Sequence, residues 1–261
     1  IGAEVAASMR QLGRDVALVV PGPVPLERVL GREVGTVYRD LHLAHGVELL
    51  TGQRAAAVRG TTTVEAVETA DGTLVAGDLV VVGVGARPRD RLAREAGLAV
   101  DDGILVDQHL ETSARGIFAA GDVAAAWHPR FGRRLRVEHW DNARRQGQAA
   151  ARNMLGMAEP YTRIPYFYSD QYELGMEYAG HAPEWDRLVF RGRPASGEFI
   201  AFWLRDQRVV AGMNANVWKV NEAIMALVAS GHLVDVDRLV DPAVPLDDVA
   251  VRSDSAELIS T

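Results

Sequence analysis

"IGAEVAASMRQLGRDVALVV", residues 1–20, carries two patterns in series. Gly2, Ala3, Val5, Ala6, Met9 and Leu12 recur at helical spacing up to Gly13, and Asp15 to Val20 then forms a short β-branched apolar run. The stretch therefore predicts a helix feeding a strand. In a dinucleotide-binding βαβ unit the last glycine of a G-x-G-x-x-G turn sits just inside such a helix, because only a missing side chain lets helix and sheet pack closely there. Gly2 fits that place. The first two glycines and the strand before them are then expected upstream of residue 1, which makes the chain a piece of a longer protein. An initiating Met and a targeting segment are both missing from residues 1–20.

Outward from this stretch the same alternation continues. Pro21 to Pro25 reads as loop, Glu33 to Ala44 as helix, and Val47 to Leu50, after Gly46, as strand. Strand-like pieces follow at 55–59, 63–69 and 73–75, the last two joined by Asp71-Gly72, a strong hairpin signal. Asp78 to Gly85 reads as a continuous apolar strand of the kind buried on both faces of a parallel sheet. Its glycine-rich carboxyl end, Gly83 and Gly85 before Ala86-Arg87-Pro88, is where an open α/β sheet takes its ligand. A short helix at 91–96 and a hairpin at Asp102-Gly103 lead to Ile104 to Val106. In "TSARGIFAAGD", residues 112–122, a small strand from Ile117 to Ala119 is closed by Ala120-Gly121-Asp122. Glycine there lets a ligand reach the backbone, and the aspartate offers acceptors for ligand hydroxyls. A helix is expected from Asn142 to Met154, with Gly156 as its stop. After Pro160, alternating aromatic segments at 166–168, 178–180, 188–191, 199–204 and 209–214 predict an antiparallel sheet, followed by a helix over 217–229 and two short helical pieces.

Composition fits a folded protein: of 261 residues, 48% are hydrophobic and 24% charged, and the net charge is −7. No apolar run is long enough to span a bilayer, so a membrane partner is not expected. Zero cysteines remove disulfides, thiolate metal sites and cysteine nucleophiles from this stretch and suit a reducing compartment, so a cytoplasmic location is expected. The acidic balance argues against nucleic acid. The seven histidines show no ligand spacing, and no metal is assigned.

Six stretches together, "IGAEVA", "LERVLG", "VVVGVGARP", "TSARGIFAAGD", "RVEHWDNARRQG" and "PYFYSDQYELGMEYAG", stand in the order and spacing of flavin-dependent NAD(P)H:ferredoxin reductases of the glutathione-reductase superfold. The chain resembles the putidaredoxin-reductase and biphenyl-dioxygenase-reductase group, with apoptosis-inducing factor as a more distant relative. The resemblance runs from residue 1 to about Ala250. It implies an α/β fold of three parts: residues 1–106 as a nicotinamide domain without its first strand and turn, 107–158 as the returning half of a flavin domain, and 159–261 as a small α+β C-terminal reductase domain.

The resemblance also implies site residues. Gly121 and Asp122, after Ala120, fall on the glycine-aspartate motif whose acid hydrogen-bonds the ribityl chain of FAD; an Asp before Val123-Ala124-Ala125 would equally cap a helix. Trp140, with Glu138, His139 and Ala143, falls on the motif beside the flavin and nicotinamide rings, where a flat apolar ring suits a site that excludes water. A lone tryptophan is otherwise usually core. Glu4 matches a helix glutamate near the nicotinamide, or is an acid favoured by a helix N-terminus; both readings stay open. Gly2, Gly83 and Gly85 would let the dinucleotide approach. Val20 stands where NAD-preferring members carry an acid, and Arg28 and Arg32 follow closely, so NADH, the preferred reading, and NADPH both remain open.

The implied activity is hydride transfer from NAD(P)H to FAD, then single-electron transfer to a ferredoxin-type iron-sulfur protein. Arg133, Arg134, Arg136, Arg144 and Arg145 would steer an acidic partner, or form ordinary solvated surface. NADH oxidase, peroxide-reducing and disulfide-reductase activities share the fold, and a non-enzymatic flavoprotein-derived binding module is an alternative. His128-Pro129 is the sole His-Pro and lies in the wrong domain for the acid-base pair of the glutathione-reductase type. The isolated chain is expected to be colourless and nearly inactive.

Overall fold

The computed structural model describes residues 1–251; the final ten residues of the expected C-terminal domain, 252–261, lie outside the described residues. Helix α1 (Gly2–Gln11) feeds strand β1 (Ala17–Val20), as the opening stretch predicts. Helix α2 (Glu27–Ala44) then leads to β2 (Glu48–Thr51), which pairs parallel with β1 from Ala17 against Glu48 to Val20 against Thr51. Helix α2 starts six residues earlier than expected because Gly31, at φ 78° and ψ 174°, joins two helical pieces across a kink. Strands β3 (Ala55–Arg59), β4 (Ala66–Thr69) and β5 (Leu74–Ala76) form an antiparallel meander whose last turn is the expected Asp71-Gly72.

The strand expected over 78–85 is not formed. Its apolar side chains stand in the open, with Val84 87% exposed. A parallel strand needs a ladder neighbour, and among the described residues β1 pairs only with β2. After helix α3 (Arg91–Glu95), strands β6 (Val100–Asp101), β7 (Gly103–Val106), β8 (Ala124–His128) and β9 (Arg133–Leu135) form a sheet in that order, with β7 and β8 parallel. The strand expected at Ile117 to Ala119 is reduced to one bridge, Glu111 to Phe118. The place beside β7 is taken by β8, whose Ala124 and Ala126 are buried in one cluster with Ala149 and Ala150 of helix α4 (Trp140–Met154).

The C-terminal part is a five-stranded antiparallel sheet, ordered β10 (Tyr166–Gln171), β11 (Leu174–Gly180), β14 (Arg208–Ala215), β13 (Glu198–Arg205), β12 (Arg187–Arg193). Alternation in β13 splits its side chains between two cores. Phe202 and Leu204 face α5 (Asn221–Ser230) and α6 (Val236–Val240), whereas Phe199, Ala201 and Trp203 face Leu30, Val34 and Tyr38 of α2. A helix from the amino-terminal half therefore closes the C-terminal sheet. At its far edge Arg191, buried, donates to the carbonyls of Leu239 at 2.8 Å, Val244 at 2.9 Å and Arg238 at 3.2 Å.

Candidate functional site

Between β7 and β8 the chain makes a single 3₁₀ turn over Gly121–Val123, led by Ala120 in extended conformation. The helix-cap role for Asp122 fails because Ala124 to His128 is a strand. Gly121 stands at φ 80°, and a side chain there would lie 3.2 Å from the Ala143 Cβ, so its bare backbone is required on both counts. The Gly121 amide donates to Gln146 Oε1 at 2.8 Å, which docks the turn on α4. The Asp122 side chain is exposed and makes no hydrogen bond among the described residues. A bare turn beside a free carboxylate fits the polyhydroxylated ribityl chain of FAD.

Helix α4 presents its N-terminus, with the partial positive charge of its unpaired peptide N–H groups, next to this turn. His139 is its N-cap: Nδ1 accepts from the Asp141 amide at 3.3 Å, which requires that nitrogen to be unprotonated. Burial lowers the His139 pKa, against the opposing pull of Asp141 and Asp122. Trp140 follows at the first helical position and is 56% exposed, which excludes the core reading. His139 lies in ring contact with Trp140 at 5.7 Å, Tyr166 at 5.9 Å and Tyr168 at 5.8 Å between centroids. Glu138 is bound by Arg136 at 2.7 Å, and Arg136 also holds Asp102 at 3.0 Å and the Asp122 carbonyl at 3.3 Å.

One group thus unites Ala120, Gly121, Asp122, Glu138, His139, Trp140 and Ala143. Sequence reasoning missed Tyr166 and Tyr168, although "PYFYSDQ" places them two apart on one face of β10. Burial first, then the hydrogen bond to Glu177 at 3.0 Å, pushes the Tyr166 hydroxyl pKa up. Gly2 and Gly83 form a second group, since a side chain on Gly83 would lie 3.2 Å from the Gly2 nitrogen. Gly85, at φ 97°, faces open space. Glu4 sits in the first turn of α1, where its acid suits the helix N-terminus, and its Oε1 accepts from Ser169 Oγ at 2.8 Å. By strand alternation Ser169 lies on the face of β10 opposite Tyr168, so Glu4 and the aromatic cluster meet different faces of one strand.

The expected five-arginine surface is divided. Arg134 is turned inward to the carbonyls of Val106 and Ala125, and Arg136 is bound as above. Arg145 lies 3.4 Å from Asp141, whereas Arg133 and Arg144 are exposed and form no ion pair among the described residues. Two cavities of about 510 and 790 Å³ share Arg145, Arg163 and Met225, and neither is lined by Gly121, Asp122 or Trp140. The turn-and-helix group is favoured as the site because it combines bare backbone, a free acid and a cluster of rings in tilted and edge-to-face contact.

Residues 1–147 match the pyridine nucleotide-disulphide oxidoreductase family model. The chain belongs to that family. Residues 166–250 match a second model, the reductase C-terminal domain. The chain is 39% identical over 247 residues to the anthranilate 1,2-dioxygenase system ferredoxin–NAD(+) reductase component of Burkholderia cepacia, covering 94% of this chain and 61% of that protein. It is 34% identical to the putidaredoxin reductase of Pseudomonas putida, covering 100% of this chain and 62% of that one. Among solved structures, the covalent putidaredoxin reductase–putidaredoxin complex superposes with a TM-score of 0.90 at 34% identity, over 95% of this chain and 60% of that chain. The chain spans about three fifths of the length of these relatives. No helix among the described residues is long and apolar enough to cross a membrane.

Proposed function

We propose that this chain is the nicotinamide-binding and returning flavin-binding portion of a FAD-dependent NAD(P)H:ferredoxin reductase. Residues 1–106 would bind the dinucleotide, 107–158 complete the flavin site, and 159–261 form the C-terminal reductase domain. The observation that carries the proposal is the docking of the bare Gly121-Asp122 turn onto the N-terminus of α4, beneath His139, Trp140, Tyr166 and Tyr168, in a chain of this family.

In this reading Asp122 would accept hydrogen bonds from ribityl hydroxyls, and the partial positive charge at the N-terminus of α4 would favour electron density on the flavin. Trp140 and the two tyrosines orient a flat ligand and exclude water. Gly2, Gly83 and Gly85 let the dinucleotide backbone approach, and Glu4 meets its nicotinamide end. Bound FAD supplies the conversion from hydride to single electrons. The electron acceptor would be a ferredoxin-type iron-sulfur protein, steered by Arg133, Arg144 and Arg145 in the cytoplasm.

The test is anaerobic titration of the full-length protein with NADH and NADPH, followed by addition of an iron-sulfur ferredoxin. A flavin band that bleaches, and electrons that pass on to the ferredoxin, are expected. Bleaching with electrons passing only to oxygen, peroxide or a disulfide would assign one of the other activities of this fold. Absence of flavin from the full-length protein would leave a binding module.

A further inference from the structure

Five side chains between the two halves of the molecule form one hydrogen-bonded line, of which the reaction described above uses Glu4 alone. Ser169 Oγ donates to Glu4 Oε1 at 2.8 Å and accepts from Gln171 Nε2 at 3.0 Å. Gln171 Oε1 lies 2.9 Å from His42 Nε2, and the Tyr172 hydroxyl lies 3.4 Å from His42 Nδ1. The donors of this line are determined by counting protons. A serine hydroxyl has one proton; because Gln171 fills its acceptor side, that proton goes to the Glu4 carboxylate. The Gln171 amide group donates at Ser169, so its carbonyl accepts, and His42 must carry its proton on Nε2. His42 Nδ1 is then bare and faces Tyr172.

The middle of the line is sealed: Ser169, Gln171 and His42 are 6%, 1% and 0% exposed. Buried polar groups are costly unless paired, so each member holds its neighbour in one orientation. The line runs from Tyr172, just past β10, through His42 on α2 and the edge strand of the C-terminal sheet, and ends on α1. Each of the three elements therefore has a part in setting where one surface carboxylate points.

We propose that Ser169, braced by Gln171 and His42, is a positioning residue that fixes the Glu4 carboxylate toward the nicotinamide end of the dinucleotide; this rests on the role of Glu4 proposed above. Ser169 lies 165 residues from Glu4 in sequence and touches it from the opposite half of the chain. The C-terminal domain would thereby take part in dinucleotide binding without touching the dinucleotide.

The experiment uses the full-length flavoprotein and the variants Glu4→Ala, Ser169→Ala, Ser169→Thr and the Glu4→Ala/Ser169→Ala double. The readouts are KM for NADH, the anaerobic rate of flavin reduction by NADH, and the oxidation by ferricyanide of flavin already reduced with dithionite. A hydrogen bond to a charged group corresponds to about a tenfold change, so Ser169→Ala is expected to raise KM about that much, with the oxidation step unchanged. Ser169→Thr, which keeps the hydroxyl, is expected to restore KM. In the Glu4→Ala background Ser169→Ala should add nothing. Additive effects, an unchanged KM in Ser169→Ala beside a raised one in Glu4→Ala, or a failure of Thr to restore, would overturn the positioning role. An unchanged KM in Glu4→Ala would instead overturn the role of Glu4, and the positioning proposal with it.

Discussion

The antiparallel sheet of 166–215 and the parallel pair β1–β2 both contain apolar strands, yet one is closed and the other open. In the first, three of the four strand pairings are hairpins, and α2, α5 and α6 cover both faces. In the second, β1 and β2 have each other alone, and the apolar run from Leu79 to Val84 lies unpaired beside Gly2. Both sheets contain a pairing of segments far apart in sequence, β11–β14 and β1–β2, and what differs is that the first has a hairpin on either side of it. Whether an apolar run becomes a strand therefore depends on its partner more than on its residues.

The sharpest way to break this contrast is to truncate one side chain in each region. Trp203→Ala, in a fully buried position, is expected to cost about 3–5 kcal/mol in urea unfolding followed by circular dichroism. Val82→Ala, at a 70% exposed position, should stay within about 0.5 kcal/mol. Similar losses at the two positions would show that 78–85 is packed in solution. The next largest effect is expected at the site. Gly121→Ala places a side chain at φ 80° against Ala143, which costs about 1–3 kcal/mol, and the full-length protein should lose FAD on dialysis. Full flavin retention would remove the turn from the site.

Acid should weaken the closed region through its histidines. Burial is the leading cause that sets the pKa of His42, His128 and His181 below the ordinary 6.5. As pH falls from 6.5, the unfolded chain takes up protons that the fold refuses, so stability that is complete above 6.5 is lost downward through the folded-state values. His42→Gln should flatten the fall in melting temperature between pH 7.5 and 5.5; an unchanged slope would mean that His42 titrates normally. The smallest effect is expected at Tyr38, whose buried hydroxyl has no hydrogen-bond partner among the described residues. Tyr38→Phe should leave urea stability unchanged or slightly raised, because no hydrogen bond is lost. A loss above about 1 kcal/mol would reveal a partner.

Much of this was readable in the residues wherever signals were local. Asp71-Gly72, Gly156 and the alternating aromatics after Pro160 each mark structure within a few residues of themselves. The helix from 1 and the strand after it were equally plain. What could not be read depends on distant neighbours. Asp78 to Gly85 has every property of a buried strand except a partner. Ala124 to His128 has the composition of a helix and becomes a strand because β7 and β9 pair with it on either side. At the site, "TSARGIFAAGD" and "EHWDNA" point to the turn and the helix, but the inward course of Arg134 and Arg136 emerges only from the fold. The contact of Ser169 with Glu4 joins the two halves of the chain and leaves no trace in either stretch.

Arg191 bears on when the parts of the molecule come together. Among the described residues its guanidinium has no salt-bridged carboxylate; three carbonyls from 238–244 bind it instead. On a ribosome those residues emerge about fifty positions after Arg191, so until then the cation must keep its water and the outer edge of the sheet cannot be sealed. The sheet thus has a built-in last step, set by the order of synthesis: its final fastening waits for α6.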